Sequence, residues 1–276
     1  MKHETSFEKF KDGRKVFMHF SQNCSESKAI IVLIHGLGEH SGRYLDMADF
    51  FTENCIDFLA PDTFGHGQTS GKQGHTKKMS DYLELIDFTI QKAKTLKPDV
   101  PIFLYGHSMG GALILKYLFK YQPVIQGVIA SAPAIKPGFE VSKSMLLIGK
   151  IGQIFSPSLT QSNSLDLNNL SHDKEVKKAY LNDPFVHDRI SAEVGMGLLN
   201  YGNWIAKQKE APSSPLLIMH GSEDKLTNYE ASKAFAAQLP GDVTWKPWEG
   251  LYHEIHNETN KEEVLNYTLD WIKSKL

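Results

Sequence analysis

Gly106-His107-Ser108-Met109-Gly110 is the stretch on which the reading of this chain turns. The apolar run Pro101-Ile-Phe-Leu-Tyr105 precedes it, and the helix-like run Gly111-Ala-Leu-Ile-Leu-Lys-Tyr-Leu-Phe119 follows. Strand, sharp Gly-x-Ser-x-Gly turn, helix is the order that a nucleophile elbow requires. On such a turn the serine hydroxyl stands clear of the sheet. A side chain at either flanking position would meet the neighbouring strand or helix, and glycine has none. The helix start behind Ser108 adds free N–H groups and the positive end of a dipole.

Working outward, short apolar runs recur on both sides. Residues 15–20, 29–34, 55–60, 126–131, 215–219 and 243–248 read as further strands. The run 29–34 is apolar throughout, as a strand buried on both faces should be. The run 243–248 is more polar and holds Pro247, which suits a sheet edge or a strand end. Helical patterns separate the strands, over 41–54, 79–96 (with Ser80 as the expected N-cap), 228–238 and 261–275. Strands alternating with helices predict an α/β fold: a mostly parallel sheet covered on both faces, with its chemistry at the carboxyl ends of the strands.

The interval from about 136 to 209 breaks this rhythm. It shows no clear buried strand, and it holds Met145-Leu-Leu-Ile-Gly-Lys-Ile-Gly-Gln-Ile-Phe155 followed by a stretch rich in Ser, Asn and Asp. It reads as a helical cap inserted into the core and lying over the site. The expected organisation is therefore 1–135 core, 136–209 cap, 210–276 core.

Bulk properties narrow the class. The 276 residues carry a net charge of −2, are 41% hydrophobic and 22% charged. No basic stripe is present, which argues against a nucleic-acid partner. Oligomeric state is not legible. The N-terminus has no apolar signal core, and no stretch approaches ~20 apolar residues, so neither export nor a membrane span is expected. The two cysteines, Cys24 and Cys55, fall in no metal spacing. Two free thiols in a reducing, cytoplasmic compartment are expected, with a single disulfide as the alternative.

A serine hydroxyl is a poor nucleophile until a base takes its proton and a third group orients that base. Elbow folds supply these in the order Ser, Asp or Glu, His. His220-Gly-Ser-Glu-Asp224 follows the run ending at Met219, and the spacing favours Asp224 over Glu223 as the acid. Gly250-Leu-Tyr-His253 follows the last strand and supplies His253 as the base. Twelve histidines are present, so most must be structural. His107 is expected to pack away from the reacting face, His35 and His66 to hold glycine-rich loops, and His256 to begin a helix. Acyl transfer also needs N–H donors for the oxyanion. The residue after the nucleophile, Met109, is one. Leu37 in His35-Gly-Leu-Gly-Glu-His40, after the second buried strand, is the other.

With these residues in hand, the chain resembles the monoacylglycerol lipase group of the α/β-hydrolase superfamily, which includes bacterial lysophospholipases. His35-Gly-Leu-Gly-Glu-His-Ser-Gly-Arg-Tyr44 is similar to the group's oxyanion loop. Asp62-Thr-Phe-Gly-His-Gly-Gln-Thr-Ser-Gly71 resembles its D-x-x-G-H-G-x-S-x-G loop, with Thr69 at the serine position. Gly106-His-Ser-Met-Gly-Gly111, His220 to Asp224 and Gly250 to His253 complete a likeness covering nearly the whole chain. Asn182-Asp-Pro-Phe-Val-His-Asp188 is also similar to a cap segment of the group. The resemblance implies a serine hydrolase that cleaves the ester of a monoacylglycerol through an acyl-enzyme, with no metal or cofactor. It also implies a cap forming a greasy acyl tunnel, with residues 145–155 as a source of tunnel walls and of a surface that touches membranes, or else as plain cap core. The alternatives are a lysophospholipase, a short-chain carboxylesterase and, outside enzymes, a ligand-binding pseudo-hydrolase. Mammalian members carry a cysteine three residues after the acid. Here that position is Thr227, so any thiol-linked sensitivity does not carry over.

Overall fold

The computed structural model describes residues 2–276. In chain order the elements are β1 (Lys2–Lys9), β2 (Lys15–Gln22), β3 (Ala29–Ile34), α1 (Leu45–Glu53), β4 (Ile56–Pro61), α2 (Met79–Leu96), β5 (Ile102–His107), α3 (Met109–Tyr121) and β6 (Gly127–Ser131). There follow α4 (Lys143–Phe155), β7 (Thr160–Ser162), α5 (Lys174–Asn182), β8 (Arg189–Ser191) and α6 (Ala192–Ile205). The chain closes with β9 (Leu216–Gly221), α7 (Tyr229–Gln238), β10 (Val243–Trp248) and α8 (Lys261–Ser274).

Eight strands form one sheet in the order β1-β2-β4-β3-β5-β6-β9-β10. The β1–β2 and β2–β4 pairs are antiparallel, and every other pair in this sheet is parallel. Every residue of β3, β4, β5, β6 and β9 is buried, because helices cover both faces. Alternation along β3 splits its side chains between two cores. Ile30, Val32 and Ile34 pack with residues of α2 and α3. Ala29, Ile31 and Leu33 pack with residues of α1 and α8. As expected from Pro247 and its polar neighbours, β10 is an edge strand.

One strand escapes the sequence pattern, and three expectations need correction. The strand β1 has no counterpart in the sequence reading: its run Lys-His-Glu-Thr-Ser-Phe-Glu-Lys lacks an apolar face, and its residues are almost all exposed. It pairs with β2 across all eight residues through backbone bonds, which leave no compositional trace. Residues 41–54 are not one helix but a 3-10 turn, Ser41–Tyr44, running into α1. Ser80 is not an N-cap. The helix already starts at Met79, and Lys78 in the cap position makes no side-chain capping bond.

The cysteines are not free thiols. Cys24 and Cys55 form a disulfide across 31 residues, with Cα atoms 5.3 Å apart. The physical reason is local: the Lys28 N–H donates to the Cys55 carbonyl at 2.8 Å, bringing the β2–β3 loop against the start of β4. With both thiols bridged, the cysteines no longer favour a reducing compartment.

Between β6 and β9 the chain leaves the sheet. β7 and β8 pair with each other, antiparallel, and are three residues each, so the absence of a long buried strand from residues 136–209 holds. No helix among the described residues is long and apolar enough to cross a membrane.

Candidate active site

Ser108 stands between the end of β5 and the start of α3 with φ +53° and ψ −115°. This is a sparsely populated conformation for a residue with a Cβ, of the kind held by its surroundings at functional turns. Both flanking glycines are sterically required. A Cβ on Gly110 would come within 2.0 Å of the Ile34 carbonyl oxygen, and one on Gly106 within 2.5 Å of the Gly110 carbonyl oxygen. The Ser108 carbonyl accepts from the N–H groups of Ala112 (3.1 Å) and Ala134 (3.0 Å), and its own N–H donates to Ser131 at 3.0 Å. The backbone is thus fixed on three sides while the side chain is partly exposed.

Asp224 and His253 meet. Two loops carry them, one after β9 and one after β10, and these strands pair in parallel so that Gly221 lies beside Trp248. His253 Nδ1 donates to Asp224 Oδ2 at 2.6 Å, with both side chains nearly or wholly buried. Because the carboxylate only accepts, Nδ1 carries the hydrogen and Nε2 is left with the lone pair. Glu223, the rival acid, is exposed. Among the described residues no hydrogen bond joins the Ser108 hydroxyl to His253. Such bonds are often long before a substrate tightens them.

The electrostatics of this pair follow from burial and contact. Burial alone would raise the Asp224 pKa, but the His253 charge and the bonds from His220 and His253 hold it far below the usual carboxylate range. Burial alone would lower His253, but the Asp224 charge and hydrogen bond outweigh it and raise its pKa above 6.5.

The loop after β3 packs directly on the elbow. A Cβ at Gly36 would sit 3.3 Å from the Ser108 Cβ. His35 holds this loop: its Nδ1 donates to the Gly36 carbonyl (2.8 Å) and its Nε2 accepts from the Thr63 N–H (2.9 Å). In a trans peptide the C=O and the following N–H point in opposite directions, so anchoring the Gly36 carbonyl aims the Leu37 N–H the other way. No group among the described residues accepts from the Leu37 N–H. The Met109 N–H belongs to the first residue of α3, where helix amides have no internal partner.

Other histidines behave partly as expected. His66 hydrogen-bonds Thr63 and Phe64 in its own loop. His107 is buried, but it is not remote: its ring lies 4.6 Å from that of His253, centre to centre, and 4.8 Å from that of His256. His256 does not begin a helix. It sits in a separate 3-10 turn, Ile255–Asn257, stacked on Tyr44 at 4.9 Å. Burial lowers its pKa to about 4 despite the nearby Glu254 charge.

Sequence reasoning missed a charged relay beneath these loops. Glu39 accepts from the Gly36 N–H (2.6 Å), the Tyr44 hydroxyl (2.7 Å) and Arg43 (2.5 Å). Arg43 also makes a two-pronged bond to Glu254, 2.8 Å on each side. Burial alone would raise Glu254, yet Arg43 brings its pKa down to about 2. The relay therefore ties the loop carrying Leu37 to the loop carrying His253. Its signal was the Glu39-x-x-x-Arg43 spacing, but the partner Glu254 lies too far along the chain to be paired by pattern. Thr227 was read only as a departure from a mammalian cysteine. Its hydroxyl reaches Asp224 Oδ2 at 2.7 Å.

The segment between β6 and β9 grips the same loops. The N–H groups of His253 and Glu254 donate to the carbonyls of Asn169 (3.3 Å) and Leu170 (2.7 Å). The His187 N–H donates to Gly38 at 2.8 Å, and His40 contacts Asp183 at 2.8 Å. The stretch from 182 to 188, given no role from sequence, is thus a strap over the loop of residues 35–40. By contrast α4 has no buried residue. Leu147, Ile148, Ile154 and Phe155 are 60%, 67%, 73% and 79% exposed, which excludes the plain-core reading of residues 145–155.

The chain is similar to known proteins over most of its length. Residues 25–260 match the family model Hydrolase_4, described as serine aminopeptidase, S33. An uncharacterised abhydrolase domain-containing protein of Dictyostelium discoideum is 40% identical over 90% of the chain, which spans only 26% of that protein. A monoacylglycerol lipase of Mycolicibacterium smegmatis is 32% identical, covering 91% of this chain and 90% of its own length. The crystal structure of the Paleococcus ferrophilus monoacylglycerol lipase superposes with a TM-score of 0.87 at 32% identity, covering 95% of this chain and 99% of that one. The chain belongs to the Hydrolase_4 (serine aminopeptidase, S33) family, within the monoacylglycerol lipase group of the α/β-hydrolase superfamily.

Proposed function

We propose that the protein is a serine esterase that hydrolyses monoacylglycerols to a fatty acid and glycerol. Ser108 is the nucleophile, His253 the base and Asp224 the group that orients the base. The observation that carries the reading is the buried 2.6 Å bond from His253 Nδ1 to Asp224, which leaves Nε2 free to accept a proton, together with a serine held on a constrained elbow.

In the first step His253 Nε2 takes the Ser108 proton as Oγ bonds to the ester carbonyl carbon, and the carbonyl oxygen becomes an oxyanion. The N–H groups of Leu37 and Met109 hold that charge. The C–O bond to glycerol breaks, and the departing oxygen receives the proton from His253. Water then attacks the acyl-Ser108 ester, giving its proton to Nε2. Collapse releases the fatty acid and returns the proton to Ser108.

Residues 136–209 act in this reading as a cap. The apolar surface of α4, together with Lys143 and Lys150, suits contact with a lipid surface from which the substrate is drawn. The test measures rates on a monoacylglycerol, on lysophosphatidylcholine and on short-chain p-nitrophenyl esters, with mass analysis after fluorophosphonate treatment. The expected result is a preference for the monoacylglycerol and a single adduct on Ser108. An adduct elsewhere overturns the site, and preference for lysophosphatidylcholine or for the short-chain esters overturns the substrate.

A further inference from the structure

Asp224 is shared. Its Oδ2 accepts not only from His253 but also from His220 Nε2 at 2.9 Å and from the Thr227 hydroxyl at 2.7 Å. Its Oδ1 accepts from the N–H groups of Leu226 (2.7 Å) and Thr227 (3.0 Å). His220 belongs to β9 and is wholly buried. Since the carboxylate can only accept, the His220 hydrogen sits on Nε2, and Nδ1 holds a lone pair with no partner among the described residues. A buried unpaired acceptor is costly, and an apolar residue of similar volume would pack there without that cost. Placing a histidine at this point therefore needs a reason outside packing.

We propose that His220 is a positioning residue for the reaction, acting through Asp224: its Nε2–H fixes the carboxylate and draws off part of its charge, so that His253 is held in line yet remains free of a proton. The proposal rests on the assignment of His253 as base. Two imidazoles on one carboxylate oxygen divide its hydrogen-bonding capacity. Without the bond from His220, Asp224 concentrates its charge on His253 and strengthens that residue's hold on a proton. The groups facing His253 are Asp224, His107, His256, Glu254 and Glu39, with Arg43 acting on the neighbouring His107 and His256. Those facing His220 are Asp224, Thr227 and the ring of Tyr229. Asp224 is the acidic group common to both sets.

The test compares pH profiles of kcat/KM, on a p-nitrophenyl ester, for the parent enzyme, His220→Leu and His220→Gln. His220→Leu removes the donor, and the acid limb moves upward by about half a pH unit or more, with kcat falling about tenfold and KM little changed. His220→Gln returns an N–H to the same place and brings the acid limb back to the parent position. If both variants keep the parent's limb, His220 only packs and the proposal fails. If His220→Leu does not fold, the decisive measurement is the 15N–1H correlation spectrum of the parent protein's imidazoles. A His220 with its hydrogen on Nδ1 overturns the proposal, and one with its hydrogen on Nε2 together with the His220→Gln profile upholds it. Failure of the underlying assignment reads differently: Ser108→Ala would then hydrolyse the ester at the parent rate.

Discussion

Two helices of this molecule are each thirteen residues long and rich in Leu and Ile, yet they end in opposite environments. In α3 nine residues are buried; in α4 none is. Apolar content does not decide the outcome. The strands beside α3 present carbonyls and apolar side chains at close range, so the helix is locked and Ser108 at its head is locked with it. The segment holding α4 leaves the sheet, and α4 rests mainly on α6, where a Cβ on Gly149 would lie 2.6 Å from the Met196 sulfur. The first helix is built to hold an atom still. The second keeps an apolar face available.

The sharpest way to break that contrast is at the head of α3. Ser108→Ala should lower turnover roughly 10⁶-fold while leaving the melting temperature near that of the parent, as read by ester hydrolysis and thermal unfolding. Next, truncating a wholly buried side chain of the same helix, Ile114→Ala, should cost about 2–5 kcal/mol in denaturant unfolding.

The buried histidines give a comparable effect through pH. His256 has a pKa of about 4 when folded against 6.5 when unfolded, so its contribution is complete above pH 6.5 and is lost as pH falls toward 4. The loss is about 3 kcal/mol from this residue, measurable as the denaturation midpoint against pH. Activity should fail earlier on the same descent. The His253 pKa lies above 6.5, so the acid limb of kcat/KM should fall above the value of an ordinary histidine.

On α4 the effects are smaller and of a different kind. Ile148→Asp or Phe155→Asp should each weaken binding to lipid vesicles about tenfold, with a larger loss on vesicle-borne monoacylglycerol than on a soluble ester. Ile148→Ala should change unfolding free energy by less than about 0.5 kcal/mol. A cost like that of Ile114→Ala would show that α4 is packed in solution and would erase the contrast.

What could be read from sequence divides along physical lines. The parallel strands were legible because burial on both faces demands uninterrupted apolar runs, as in β3 and β9. Ser108 and the Asp224–His253 contact were legible because the chemistry restricts residue types to loops that follow particular strands. β1 was not, since an exposed edge strand is held by backbone bonds that any residue can make. Nor was the Cys24–Cys55 bridge, which depends on a loop closing against β4 rather than on spacing. The Glu39–Arg43–Glu254 relay and the sharing of Asp224 by His220 were also hidden. Both join groups whose proximity is created only when separate loops converge.

The bonds from Asn169 and Leu170 to the backbone of His253 and Glu254 bear on how such an enzyme can be remodelled. An engineer wishing to widen the entrance by trimming the excursion between β6 and β9 would find it is not a detachable module. Residues 169–172 splint the loop that carries His253, and Ser171 and His172 are further fastened to Glu258. Deletions confined to the α4 side would spare that splint; a clean excision would cost the protein the alignment of its His253 loop as well.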